Sequence, residues 1–429
     1  MMPAFYIIDG IRTPFCKVGT DLARESAVDL GAGAFRQVLA RTGIDPALID
    51  AVIVGCVGQP ADAANLARVM ALRSGVPEKV PAFTVHRNCA SGVEAFTQAY
   101  QAAAANRGKI FLIGATESMS NYPLLFPGRA TKKFSALSRA RSLWRKCGGL
   151  SKFRPSDFRP RITLKLGLTD PTCNLNMGQT AENLAREFKI SRGQQDAFAL
   201  RSHRRAIAAR GCLREETFAL YPGSSGRRPH LVENDNGPRP QQSEEALGNL
   251  RPVFERPYGT VTAGNASQIT DGAVAMLAMT GPACRQLGVA PMGRIIDYAY
   301  AGCDPRRMGL GPAYAINEVE RRTGLGIRDA DLIEINEAFA AQVLAVKRAC
   351  QSTRFCQNEL HRPSPLGRIP REKLNVNGGA IALGHPVGAT GGRLILSSLR
   401  ELKRRNAQRA LVTLCVGGGQ GAALWLEAA

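Results

Sequence analysis

Long apolar runs are missing from this chain. No stretch approaches 18 consecutive apolar residues, which speaks against a transmembrane helix. The opening MMPAFYIIDG has no basic leader and no cleavage site, so it reads as a strand and not as a secretory signal. Eleven cysteines are present, but with no CxxC pair and no zinc spacing. Their odd number and scatter predict free thiols in a reducing compartment, the cytoplasm, and most of them serve as small buried hydrophobes. Aromatics make up only 6% of the residues and no nucleic-acid-binding motif appears.

Acidic residues are also scarce: 35 Asp and Glu stand against 56 Lys and Arg, a formal charge of +21. The excess is local. Between Gly128 and Lys165 there are 12 Lys or Arg and a single acid, Asp157. A patch of one sign points to an anionic partner, whether phosphate-bearing substrate, membrane or nucleic acid.

What is there is α/β patterning. Ala51–Gly55, Ile110–Gly114 and Ala410–Val416 are short, nearly continuous apolar runs, as in strands buried on both faces. Helical patterns alternate with them, at Ser91–Ala105 and Ala340–Ala349, which predicts layered α/β architecture. A weak internal repeat adds two similar halves. NCASGVEAF runs through a helix to the strand IFLIGATES, and GHPVGATGG runs through a helix to ALVTLCVGGG about 300 residues later. Between them, Asn121–Pro252 is rich in Pro, Arg, Ser and Gly and reads as an insertion with its own helices, Thr180–Phe188 and Ser191–Ala209.

Four elements carry candidate chemistry. Cys89 lies where a strand hands over to a helix, so the helix dipole and unpaired amides should lower its pKa and bind a developing oxyanion. An inert buried cysteine would fit the same place. His385, one of five histidines, sits in the sharply turned GHPVGATGG, where it is a candidate base for a thiol. A loop histidine bonding a carbonyl is the alternative. Cys415 ends a strand before Gly417–Gly418–Gly419, whose backbone can approach a ligand closely. Asn336, in EINEAFAAQ, reads as the start of a helix, and a plain N-cap is its ordinary use.

Together NCASG, NEAF, GHPVGATGG and CVGGGQG resemble the thiolase family, in its order and at its spacing. GIRTPF, MGQTAENLA, QDAFALRSHRRA and VTAGNASQITDGA extend the resemblance over nearly the whole chain. NDNGPRP, RPYGTVTAGN and the basic insertion are similar to the fatty-oxidation branch that pairs with a trifunctional α subunit, although that branch often has His where Asn336 stands.

The resemblance implies a thiolase fold, two layered halves (αβαβα) with an inserted loop domain. Its boundaries would be 1–120 and 253–288 for the first half, 121–252 for the insertion and 289–429 for the second half. It implies CoA-dependent cleavage of a 3-ketoacyl-CoA, or in the condensing direction an acetyl-CoA acetyltransferase. Cys89 would be the nucleophile, His385 its activator and Cys415 the acid and base at carbon. His385 and Asn336, through a water, would form one oxyanion hole, and the amides of Cys89 and Gly417 the other. Met177, Ser267 and Phe339 would line the pantetheine tunnel. CoA enters as substrate, with no metal or redox cofactor, and the family assembles as homodimers or homotetramers. A non-catalytic scaffold would lack one of the four catalytic positions, and a ketosynthase would leave Cys415 without a role.

The basic segment 128–165 has three readings: contact with CoA phosphates, docking of an amphipathic Phe134–Phe153 on an anionic membrane or partner subunit, or nucleic acid, the least supported. Among the remaining residues, His86 reads as a strand-end residue and His203 as solvated on a helix face or close to CoA phosphate. His230 and His361 lie in loops, and Trp144 is an anchor for the insertion.

Overall fold

The computed structural model describes residues 4–223 and 230–429. The first three residues of the opening stretch lie outside them, and its strand starts at Phe5. Twelve strands follow in chain order. They are β1 Phe5–Arg12, β2 Cys16–Lys17, β3 Ala51–Gly55, β4 Ala82–Val85, β5 Ile110–Ser118 and β6 Leu124–Leu125. Then come β7 Arg161–Ile162, β8 Thr270–Thr280, β9 Gly293–Gly302, β10 Leu332–Ile335, β11 Arg409–Val416 and β12 Gln420–Ala428.

Nine of the strands lie in the order β10-β11-β12-β9-β1-β8-β5-β3-β4, with β2 beside β8. Two halves meet at β1 and β9, where Tyr6 faces Arg294 and Ile7 faces Gly293. Each half repeats one hydrogen-bonding scheme. β3 runs parallel to both β4 and β5, and β10 runs parallel to β11 and, through Ile333 and Leu374, to one further segment. The internal repeat is therefore structural: helix Ser91–Ala104 leads into β5 as helix Thr390–Arg405 leads into β11.

Those two helices form the middle of five layers. Val93, Phe96 and Ala99 on one, and Leu394, Ile395, Leu399 and Leu402 on the other, share a core with the inner faces of both sheet halves. Helix Ala27–Thr42 and helix Leu66–Arg73 cover the outer face of the first half, and helices Gly311–Thr323 and Ala340–Gln351 that of the second. Sandwiching explains why β5 and β8 are buried at every position. The central helices cross closely. A Cβ on Gly92 would stand 2.7 Å from the Gly392 nitrogen and 2.9 Å from the Gly388 oxygen, so only glycine fits there.

The insertion does carry its own helices. Met177–Glu187 and Arg192–Ala208 each start with a capping box, on Asn176 and Ser191, and pack into the core of the second half through Leu184, Phe198 and Leu200. The expected Phe134–Phe153 amphipath is two helices, Gly128–Ser138 and Leu143–Leu150, because Arg139–Ser142 forms a turn between them. Strands β6 and β7 pair beside this hairpin, a short ladder the composition did not announce.

Two smaller expectations are corrected. His203 is buried, not solvated: the helix turns it inward and its Nδ1 accepts from the backbone N–H of Arg239 at 3.2 Å. Trp144 does not anchor the insertion among the described residues, since 89% of it is exposed. Of the others, His86 is exposed just past β4, while His230 approaches Asp21 at 3.6 Å. His361 ends helix Thr353–Leu360 in a left-handed conformation.

Candidate active site

Cys89 sits between β4 and the helix that starts at Ser91, in a turn closed by Ala90 N–H to Arg87 O at 2.9 Å and Ser91 N–H to Asn88 O at 3.0 Å. The turn forces Asn88 to a left-handed φ of 43°, a conformation Asn tolerates better than most residues. Among the described residues no side chain caps the helix, whose positive N-terminal end lies beside the thiol.

The second half brings the other groups to the same place. His385 follows Gly384, whose φ of 100° only glycine adopts readily, and its backbone N–H donates to Gln268 O at 2.9 Å. Cys415 is the last residue but one of β11, and Gly418 and Gly419 turn the chain into β12 with φ of 90° and 75°. Asn88 Nδ2 donates to Gly417 O at 2.8 Å and fixes the two thiol-bearing turns against each other.

Cys89, His385, Cys415 and Gly417 line one cavity of about 440 Å³. Met177, Ser267 and Phe339, the expected tunnel residues, line it as well. Its wall is otherwise mostly apolar, and the insertion contributes Leu164, Leu166 and Leu168 to it. None of its lining residues is Lys or Arg, so the basic side chains of the insertion stay outside the cavity.

The hydrogen bonds assign the histidine tautomer. Thr390 Oγ1 donates to Pro386 O at 3.0 Å and therefore accepts from His385 Nδ1, 2.6 Å away. Nε2 then carries the lone pair, and Asn336 Nδ2 donates toward it at 3.4 Å. Burial, and after it the charge of Arg393, lowers the His385 pKa to about 4, so the ring is neutral at pH 7 and available as a base.

Asn336 is not a helix cap. It follows β10, its N–H donates to Thr413 O at 3.0 Å, and the helix begins only at Ala340 with Phe339 at the cap position. The physical reason is the strand pairing of β10 with β11, which extends the chain past Ile335. Asn336 is fully buried and its Oδ1 has no protein partner among the described residues. A buried acceptor of this kind is ordinarily satisfied by water.

The thiols depart from expectation in one respect. Burial raises the Cys89 pKa, although the amides of Gly417 and of Cys89 itself act to lower it. Desolvation outweighs the helix dipole because the thiolate loses more hydration than two amides return. Those same amides are the pair expected to hold an oxyanion. Burial, followed by the negative charge of an ionised Cys89, holds the Cys415 thiol far above its ordinary range. Cys415 is thus a proton donor whenever Cys89 is a thiolate.

Two buried carboxylates escaped the sequence reading. Glu117 accepts from Gly58 N–H at 2.8 Å, Val57 N–H at 3.1 Å, Gly388 N–H at 2.8 Å and Tyr122 OH at 2.9 Å, and so ties the histidine loop to the first half. Glu337 accepts from Ser202 Oγ at 2.5 Å, Asn375 Nδ2 at 2.8 Å and Ile381 N–H at 3.3 Å. It lies one residue past Asn336 in NEAF, inside a motif already singled out. Glu117 stands at the end of an apolar strand, where a polar residue before Ser118 was the available signal.

A five-layered α/β fold with two thiols and a neutral histidine on one cavity belongs to a thiol-dependent acyltransferase. Family models for the thiolase N-terminal and C-terminal domains match residues 5–281 and 289–428, and the chain belongs to the thiolase family. It is 38% identical over 424 residues to a 3-ketoacyl-CoA thiolase of Vibrio cholerae, covering 98% of this chain and 96% of the relative. With the mitochondrial trifunctional enzyme subunit beta of Mus musculus it shares 37% identity over 430 residues, covering 100% and 89%. Human mitochondrial 3-ketoacyl-CoA thiolase superposes with a TM-score of 0.86 at 34% identity, covering 100% and 99%. An acetyl-CoA acetyltransferase from Bacillus anthracis gives 0.87 at 35% identity, again covering 100% and 99%.

Proposed function

We propose that this chain is a 3-ketoacyl-CoA thiolase of fatty-acid β-oxidation, which cleaves its substrate with CoA to acetyl-CoA and a shortened acyl-CoA. The observation that carries this reading is the convergence of Cys89, His385 and Cys415 on one largely apolar cavity.

His385 Nε2 takes the proton of Cys89, and the thiolate attacks the C3 carbonyl of the substrate. Preorganised donors stabilise the oxyanion: protonated His385 with a water held by Asn336 at one position, the amides of Cys89 and Gly417 at the other. The C2–C3 bond breaks and its electron pair leaves as the enolate of acetyl-CoA, which takes a proton from Cys415. The acyl group stays on Cys89 as a thioester. A second CoA gives its thiol proton to the ionised Cys415, attacks the thioester and leaves as the shortened acyl-CoA. His385 returns its proton to Cys89. The cycle balances with CoA as the only further reactant. Met177, Ser267 and Phe339 would hold the pantetheine arm.

The structural likeness to an acetyl-CoA acetyltransferase favours a second reading, the condensing enzyme for short chains. The leucines that the insertion adds to the cavity favour the longer substrate. Comparing cleavage of acetoacetyl-CoA and a long-chain 3-ketoacyl-CoA on the purified chain decides. Faster long-chain turnover supports β-oxidation, turnover of acetoacetyl-CoA alone supports the acetyltransferase, and none of either sinks both.

The division into 1–120 with 253–288, the loop domain 121–252 and 289–429 remains our reading of the organisation, as do a homodimer or homotetramer and a trifunctional α subunit as partner. The relative named as a trifunctional β subunit supports the last. All eleven cysteines are free thiols, which supports a reducing, cytoplasmic setting. Among the described residues no helix is long and apolar enough to cross a membrane.

A further inference from the structure

One wall of the catalytic cavity is built to stay still. Tyr122 lines it from the first half of the fold, together with Val57 and Met119. The Tyr122 hydroxyl donates to Glu117 at 2.9 Å, and the same carboxylate accepts from the amides of Val57, Gly58 and Gly388. Val57 lines the cavity itself, and Gly388 follows Val387, which lines it too. A single buried carboxylate therefore ties together the phenol and the backbone on either side of it.

The ring is held as firmly as its hydroxyl. It lies on Gly58, where an added Cβ would stand 1.9 Å from Cε1 and 2.3 Å from Cζ of Tyr122, so only glycine leaves room for it. One residue earlier, Asn121 Nδ2 donates to Glu25 O at 3.0 Å and to Ser118 Oγ at 2.8 Å, which pins the backbone. Burial, and after it the charge of Glu117, holds the phenol far above its ordinary range, so it donates as a neutral hydroxyl. Cys56 and Cys89 act in the same direction, which sets both thiols close to the ring. The wall that the insertion contributes is looser. Leu166 lines the cavity and is yet 41% exposed, which gives a long chain an outlet.

We propose that Tyr122 is a specificity-determining residue whose fixed ring excludes acyl chains branched beside the reacting carbonyl, so that the enzyme takes straight-chain 3-ketoacyl-CoA. The inference rests on the thioester proposed at Cys89 and names the substrate class of that site. In this thioester, C4 of the substrate is the first carbon beyond the acyl carbonyl and stays next to Cys89. A methyl on C4 meets the ring, which cannot move aside because its hydroxyl and its face are both held. Further methylenes at the far end of a straight chain do not meet it and run along the leucines of the insertion. A rigid wall turns one misplaced methyl into rejection, whereas a soft one repacks around it.

Acylation of Cys89 in the full-length protein tests this apart from carbon–carbon cleavage. The donors are hexanoyl-CoA and each enantiomer of 2-methylhexanoyl-CoA, whose C2 corresponds to C4 of the 3-keto substrate. The readouts are the mass gained by the protein and the CoA released. Wild type should react at least about ten-fold more slowly with the disfavoured branched enantiomer than with the straight donor. Y122A should lose about ten-fold of that ratio, and Y122F, which keeps the ring but not its bond, should lose part of it. G58A, whose Cβ drives the ring toward the cavity, should raise the ratio. Comparing each variant with wild type removes the lower intrinsic reactivity of a branched thioester. If Y122A does not fold by circular dichroism, Y122F and G58A carry the test. Equal rates for straight and branched donors in wild type overturn the inference and leave the cysteine cycle standing. A ratio unchanged in every folded variant does the same. No acylation by any donor sinks the cycle and the inference with it.

Discussion

Asn88 Nδ2 donates to Gly417 O at 2.8 Å, a bond that joins the turn before the first thiol to the turn after the second across 329 residues of chain. It holds the two thiol-bearing turns together, and in the proposed cycle the transfer of a proton from Cys415 to carbon depends on their separation. Asn88 to Ala should lower kcat by about 10- to 100-fold, and Asn88 to Gly, which relieves the left-handed strain, should lower it equally. The two variants should differ in stability by about 1 kcal/mol in favour of glycine. Recovery of activity in the glycine variant would show that backbone conformation, not the bond, was at stake.

The two thiols separate by chemistry. Cys89 to Ala should remove at least about 10³-fold of turnover with the fold unchanged by circular dichroism. Cys415 to Ala should leave acylation of Cys89 by a simple acyl-CoA intact, visible as a mass increase on the protein, and block carbon–carbon cleavage. Full thiolysis by the Cys415 variant would refute the two-cysteine cycle.

Protonation of His385 is linked to stability with a definite sign. Its pKa falls from the ordinary 6.5 to about 4, so between those values the unfolded chain binds a proton that the folded chain excludes. This contribution is complete above pH 6.5 and is lost as pH falls toward 4, amounting to about 3 kcal/mol at most. Chemical denaturation of wild type and H385Q across that range should show their difference shrinking with acid. A constant difference would mean the ring is not held neutral.

Burial raises the Cys89 pKa, so the thiolate is scarce until His385 takes its proton. Alkylation of Cys89 by iodoacetamide should keep accelerating into the alkaline range, with no plateau near neutrality. H385Q should react still more slowly at neutral pH.

Glu117 satisfies three backbone amides from two loops. Glu117 to Gln puts an NH₂ where an acceptor is needed and should cost about 2–4 kcal/mol in denaturant unfolding. The loss should come with a larger fall in kcat than in affinity, since Gly388 steadies the histidine loop. A variant as stable as wild type would remove Glu117 from this role.

The local sequence determined much of the protein. Cys89 and His385 were legible because each stands at an abrupt change of backbone type, and β5 and β11 because strands covered on both faces are apolar throughout. Layered α/β architecture followed from their alternation with helices, and the five-layered αβαβα form from the motifs shared with the thiolase family. Tertiary structure alone decided what depends on groups distant in the chain. Strand pairing with β11 carried Asn336 past its expected helix start and set it against His385. Burial, not the helix dipole, fixed the direction of the Cys89 pKa, because desolvation is a property of the whole enclosure. The inward turn of His203 and the outward one of Trp144 were equally hidden, since a side chain's exposure depends on which other elements pack over it.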